Sequence, residues 1–353
     1  MSMLLASVFL GIIPMVIYAL IVWRLDRWEK EPFPLLFAAF LWGSIPSVIF
    51  AIIAQVILEL PVAEFSSGAS IYGELYQASI VAPISEEITK GIGLLLIFWI
   101  FRRQIHSVLD GLIYGSMIGF GFSAIENVLY FVGQTDPAGL LVLFFFRAFV
   151  FGMLHALFTG LFGVGLALGM FSRNPFLKIL WPAIGLFLAI FTHALHNYFA
   201  TMGGEHILYA VLGVSLGVAW FVITLIVCLV HENRWIRIHL ADEVKDGVLF
   251  AEQALDTAQF WTRSSLSFLT QGTTAFRRKA LFKEATKLAF EKQRQSHFGV
   301  TTETSERVDT HRSRLRELSR NDPHVLSGKI QPGKILPPPL PPYRRMPPPL
   351  PGR

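Results

Sequence analysis

Residues 77–101 read QASIVAPISEEITKGIGLLLIFWIF, and how this stretch is placed decides the fold. An α-helix rises about 1.5 Å per residue, so roughly 20 apolar residues cross the ~30 Å hydrocarbon layer of a bilayer. The stretch is that long and shows no period-two alternation, which excludes a barrel strand and points to a membrane-spanning helix. Yet Glu86, Glu87 and Lys90 sit about ten residues inside it. A charged side chain at mid-membrane costs about 2.5–3.5 kcal/mol on insertion scales, so a span that keeps three is a candidate functional span.

The rest of the chain has the same character. Apolar residues make up 53% of 353, and mean hydropathy is +0.52. Seven spans are expected, at 3–23, 33–60, 77–101, 109–132, 139–171, 179–200 and 207–230, with a kink or tilt in the second near Pro46. The expected fold is therefore all-α: a polytopic transmembrane bundle of about seven spans with a cytoplasmic, partly flexible tail. Arg24, Arg27 and Lys30 follow the first span, Arg102 and Arg103 the third, Arg173 and Lys178 the fifth, and Arg234 and Arg237 the seventh. The intervening loops 61–76, 133–138 and 201–206 hold no Lys or Arg. Because basic residues collect on the cytoplasmic side, this puts the N-terminus outside the cell membrane and the C-terminus in the cytoplasm. The first span lacks a basic n-region and reads as an uncleaved anchor. Cys228 is the only cysteine, which excludes an internal disulfide and a cysteine-based metal cluster.

Charge divides the chain. Residues 1–230 hold 9 Lys+Arg against 12 Asp+Glu, and residues 231–353 hold 21 against 13. The basic part faces an anionic leaflet; no basic stripe with interleaved aromatics suggests nucleic-acid binding. The expected domains are a membrane domain at 1–232, a cytoplasmic helical segment at 233–295 and a flexible, proline-rich tail at 296–353. Within the second, Phe276–Arg294 can lie on the membrane as a basic amphipathic helix or pack on a neighbouring helix. The last segment, ILPPPLPPYRRMPPPLPGR, favours polyproline II and suits a partner's aromatic groove or a spacer role.

Ionisable groups recur inside the other spans. Glu86 and Lys90 are four apart on one helix face and can pair, while Glu87 lies about 100° round the helix. Two adjacent carboxylates repel and split their proton affinities, leaving one as a usable base. The fourth span carries Glu126 and Asn127 behind Gly115, Gly119 and Gly121, small residues that admit close helix neighbours. The fifth carries Arg147, which either neutralises a carboxylate or snorkels outward, and His155, with Thr159 one turn on. The sixth carries His193 and Asn197 on one face, with His196 pointing somewhat aside. Counted from the span ends at about 1.5 Å per residue, Glu86 lies about 14 Å below the outer surface, and Glu126 and His193 about 10 Å. Four helices can thus bring polar groups to one level in the outer half of the bilayer.

Carboxylate, imidazole and amide groups around one wet cavity suit hydrolysis. A Glu can take a proton from water while an Asn or protonated His steadies the oxyanion, or two His and a Glu can hold Zn²⁺ and acidify its water. No HExxH string occurs, and no serine stands out as a nucleophile. Two other classes fit the same residues: a proton- or ion-coupled transporter, for which no inverted repeat is seen, and a non-catalytic membrane scaffold.

In order along the chain, residues 24–231 resemble the PrsW family of intramembrane proteases, relatives of the CAAX prenyl endopeptidases and bacteriocin-processing enzymes. The resemblance rests on Asp26-Arg27-Trp28-Glu29-Lys30-Glu31-Pro32, Glu86-Glu87-x-x-Lys90, Phe122-x-x-x-Glu126-Asn127, the lone His155, and His193-x-x-x-Asn197. It implies cleavage of a membrane-anchored anti-sigma factor on its extracytoplasmic side. It also implies Glu86 and Glu87 in catalysis, with His155, His193 and Asn197 binding metal or stabilising the oxyanion. Glu126, taken here as a third metal ligand, stands where the prenyl-protease relatives have a histidine. Lys90, Asn127, Arg147 and His196 are read as supporting groups.

Overall fold

The computed structural model of the chain describes residues 3–63, 71–259 and 273–330. No strand occurs among the described residues. The chain divides into two compact units, Met1–Cys228 and Leu229–Arg353.

Among the described residues, six stretches are long and apolar enough to cross a membrane. They are α1 (Met3–Leu25), α2 with α3 (Phe33–Leu58), α6 (Val108–Val132), α7 with α8 (Pro137–Met170), α9 (Pro175–Met202) and the stretch Gly204–Lys245, which contains α10 (Ile207–Lys245). The seventh expected span is helical too: α4 (Ile71–Tyr76), a π-helical turn Gln77–Val81 and α5 (Ala82–Ile100). It falls outside the six because Glu86, Glu87 and Lys90 fall within one helical turn of α5. All three charged residues are buried.

α6 is the hub, buried along nearly its whole length and packed against α1, α2 and α8. Glycine makes the approach to α8 possible: a Cβ on Gly119 would lie 2.3 Å from the His155 carbonyl oxygen. Larger residues there would push α8, and with it His155, away from α6.

Two expectations about the long spans take a more specific form. Pro46 lies inside a π-helical turn, Gly43–Ser47, between α2 (Phe33–Trp42) and α3 (Val48–Ala63). Proline lacks an N–H and crowds the preceding carbonyl, and the wider turn accommodates it. The run expected at 139–171 is not one helix. α7 (Pro137–Phe144) passes into a π-helical turn, Phe145–Val150, and the chain breaks at Phe151–Met153 before α8 (Leu154–Met170). A Cβ on Gly152 would sit 2.1 Å from the Ala148 carbonyl, so the break needs glycine. His155 is thus the second residue of a new helix.

On the loop side of α6, Ser107 caps the helix in a capping box with Asp110. The buried Glu31 accepts a hydrogen bond from the Tyr114 hydroxyl, and the Glu31 amide donates to Asp26 Oδ2 at 2.9 Å. Burial, aided by the charge of Asp110, raises both Asp26 and Glu31 well above the usual carboxylate range.

The second unit is built from the end of α10, α11 (Ala251–Ala258), α12 (Thr273–Phe298), α13 (Thr302–Arg320) and the short α14 (Pro323–Leu326). Glu243, fully buried, accepts from Lys292 at 2.8 Å and from Arg312 at 2.9 Å. Leu281, Leu288 and Phe290 are buried against the unit's own helices, so the 276–294 face packs on neighbours, and of that apolar set only Phe276 is exposed. The segment 296–325, expected to be flexible, carries α13 with Val308, Leu315 and Ser319 buried. Its apolar side chains are sparse, which is why composition alone suggested a solvated chain. The proline-rich run from Gln331 lies outside the described residues.

Candidate active site

The adjacent carboxylates of α5 have opposite fates. Glu87, 1% exposed, is saturated: Lys90 Nζ lies 2.7 Å from Oε1, His193 Nδ1 3.0 Å from the same oxygen, and Thr159 Oγ1 donates to Oε2 at 3.1 Å. Glu86 is held loosely. Gln55 Nε2 donates to Oε1 at 3.3 Å, while Lys90 Nζ and His193 Nε2 stand 3.5 and 3.9 Å from Oε2. Glu86 borders a cavity of about 1250 Å³, whereas Glu87 and Lys90 lie behind its wall. The expected Glu86–Lys90 pair is present, but Lys90's shorter contact is to Glu87, three residues away.

Lys90 is the fixed point of this wall. Its ammonium has only donors to offer, and besides the two carboxylates it reaches His155 Nδ1 at 2.9 Å and sits 4.0 Å from the Phe122 ring centroid. His155 Nδ1 must then accept, which leaves Nε2–H to donate to Glu126 Oε2 at 2.7 Å. His193 has the other tautomer. Its Nδ1–H points to the Glu87 carboxylate, so the Nε2 lone pair is open toward Glu86. A carboxylate behind a histidine is the arrangement that fixes ring and tautomer in many metal sites.

The remaining candidates line the same cavity. Glu126 pairs with Arg147 Nη2 at 2.7 Å, so Arg147 neutralises a carboxylate rather than snorkelling. The same guanidinium donates from Nε to Asn127 Oδ1 at 2.8 Å and covers the Tyr130 ring at 3.8 Å. His196, expected to point somewhat aside, lines the same cavity and stands edge-on to Phe151 with centroids 4.8 Å apart. The Asn197 amide donates to the Ala78 carbonyl at 2.8 Å, tying α9 to the π-helical turn before α5. Three of these ten positions, Glu86, His155 and His193, offer ligand atoms within 4.8 Å of one another.

Some residues of the site were not singled out by sequence reasoning. Gln55 was one; a lone amide in the apolar run VIFAIIAQVILEL was its signal. Phe158, stacked on His193 at 4.7 Å and 15°, gave no signal beyond its aromatic class. A serine-hydrolase spacing, Gly213-Val214-Ser215-Leu216-Gly217, also occurs in the sequence. It lies within continuous α10 rather than on a strand-to-helix elbow. Ser215 is exposed and donates to the Val211 carbonyl at 2.9 Å, so it is no nucleophile.

The metal suggested by this donor set fits in part as the side chains stand. Glu86 and His193 Nε2 present open lone pairs, and His155 would exchange its Glu126 hydrogen bond for a metal bond. Comparison with known proteins bears on the same residues. The model of the "PrsW family intramembrane metalloprotease" matches residues 31–228. A protease PrsW of Clostridioides difficile (strain 630) is 31% identical over 134 residues, which are 38% of this chain and 53% of that protein. The match thus spans about half that relative's length. One from Bacillus subtilis (strain 168) is 24% identical over 205 residues, 58% of this chain and 87% of that protein. One from Halalkalibacterium halodurans is 25% identical over 150 residues, 42% of this chain and 66% of that protein. No solved structure matches.

Proposed function

The chain belongs to the PrsW family of intramembrane metalloproteases, and on that premise we propose that it hydrolyses a peptide bond of a membrane-anchored protein, an anti-sigma-factor-like regulator. Glu86 takes the proton from the attacking water. It is the one carboxylate of the α5 pair that borders the cavity, and its contacts, all 3.3 Å or longer, hold both of its oxygens loosely. This division between Glu86 and Glu87 is the observation that carries the proposal.

The other residues hold the geometry. Glu87 orients His193 so that Nε2 faces Glu86, and Lys90 positions Glu87 and His155. Glu126, its charge balanced by Arg147, holds the opposite nitrogen of His155. In the metal-dependent form of this reading, Glu86, His193 and His155 would instead hold a divalent ion such as Zn²⁺, which when bound would acidify water and polarise the carbonyl. Burial of the whole wall keeps these interactions strong and limits water to the cavity side. The alternation of basic and uncharged loops supports an extracytoplasmic N-terminus, a cytoplasmic C-terminus and cleavage in the outer half of the cell membrane.

The test is reconstitution in liposomes with a fluorogenic single-span peptide. The wild type cleaves, and Glu86→Gln and His193→Ala accumulate in membranes but do not. Ion flux without cleavage by the wild type would instead identify a transporter.

A further inference from the structure

Among the described residues, three that line this cavity each carry a polar atom buried without any hydrogen-bond partner: Asn127 Nδ2, Gln77 Oε1 and His196 Nδ1. Buried polar groups are nearly always paired, and an unpaired one costs about 1–3 kcal/mol. Three around one cavity mark the outline of a polar ligand. Asn127 is the most telling, since the residue is only 1% exposed. Its orientation is not ambiguous. The Arg147 Nε–H can only donate, so the amide atom 2.8 Å away is Oδ1 and the NH₂ group points elsewhere. Arg147 is itself locked between Glu126, at 2.7 Å, and the Tyr130 ring, at 3.8 Å. By contrast, the NH₂ of Asn197, the amide first considered for oxyanion stabilisation, is engaged by Ala78.

Resting on the peptidase reading, we infer that the Asn127 carboxamide is a substrate-binding group that donates a hydrogen bond to a backbone carbonyl of the peptide in the cavity. Gln77 Oε1, on the π-helical turn before α5, is the matching acceptor for a backbone N–H. A donor and an acceptor both awaiting partners suit an unwound peptide. In a helix, the backbone N–H and C=O groups already bond each other and have little left for a binding wall.

Steady-state cleavage of a fluorogenic single-span peptide with a Gly-Ala scissile region, in nanodiscs, tests this. Asn127→Asp keeps shape and the Arg147 contact but replaces the donor with an acceptor. It should raise KM about tenfold, the loss expected for one hydrogen bond, with kcat within about threefold. A purely structural Asn127 would lower thermal stability and the active fraction, hence apparent kcat, and leave KM in place. That pattern overturns the inference while the peptidase reading stands. Should Asn127→Asp fail to accumulate, Asn127→Ala, uncharged, is read in the same way. Absence of peptide cleavage by the wild type would overturn the peptidase reading, and the inference with it.

Discussion

Replacing Glu87 by alanine should damage stability more than replacing Glu86, although the two are neighbours of identical chemistry. Glu87 accepts from Lys90, His193 and Thr159, all within 3.1 Å, and is 1% exposed. Intramembrane hydrogen bonds contribute about 0.6–1.7 kcal/mol each, because an unfolded chain in the bilayer finds other partners. Removing one member of a buried ion pair costs about 3–5 kcal/mol when the other charge is stranded. Of its two carboxylate partners Lys90 would retain only Glu86, at 3.5 Å, beside the neutral His155 Nδ1 at 2.9 Å. Together these put Glu87→Ala near a loss of about 3 kcal/mol. Glu86, whose contacts run from 3.3 to 3.9 Å, should cost about 1 kcal/mol or less. The assay is reversible unfolding in mixed micelles by titrating sodium dodecyl sulfate, followed by tryptophan fluorescence. Equal losses for the two variants, or less than about 1 kcal/mol for Glu87→Ala, would refute the assignment of Glu87 as the anchor of the wall.

Further outcomes follow from the same geometry. Gly119→Val should lower peptide cleavage at least about tenfold and destabilise the bundle, because a Cβ there meets the His155 carbonyl at 2.3 Å; thermal unfolding and cleavage of the purified variant check it. Glu31 gives a pH effect of known sign. Burial raises its native affinity for a proton above the ordinary value near 4.5, so the folded state binds more protons than the unfolded one above that pH. Stability is then full at low pH and falls as pH rises from about 4.5 through the native value. Glu31→Gln should flatten that fall, which melting temperatures at pH 5 and pH 8 will show. For the metal, dialysis against a strong chelator should abolish cleavage and Zn²⁺ should restore it, whereas metal analysis that finds none in active protein would exclude metal-dependent chemistry.

Much of this was legible in the sequence because bilayers simplify the reading. An apolar run of about 20 residues is a helix by necessity, and a charge inside it needs a reason. That logic drew attention to Glu86, Glu126, His155 and His193, and all four line one cavity. It could not separate Glu86 from Glu87, since a helical wheel puts them 100° apart without saying which side holds the solvent. Nor did it reveal the break at Phe151–Met153, where Gly152 sits in an otherwise continuous apolar run, or the identity of His155 as an N-terminal residue of α8. In the second unit the polar surface of α13 masked a helix whose buried contacts are few and come from the tertiary fold. Asn127 and Gln55 were ambiguous for a related reason. An amide's role depends on which edge its neighbours occupy, and spacing does not encode that.

On the proposed mechanism, Glu86 activates water for peptide hydrolysis from the cavity wall. The most direct measurement is cleavage of a single-span peptide in H₂¹⁸O by the purified protein in nanodiscs, with mass spectrometry of the new C-terminal carboxylate. The wild type should incorporate one ¹⁸O per cut and Glu86→Gln should give no labelled product, whereas labelled product from Glu86→Gln at the wild-type rate would contradict the claim.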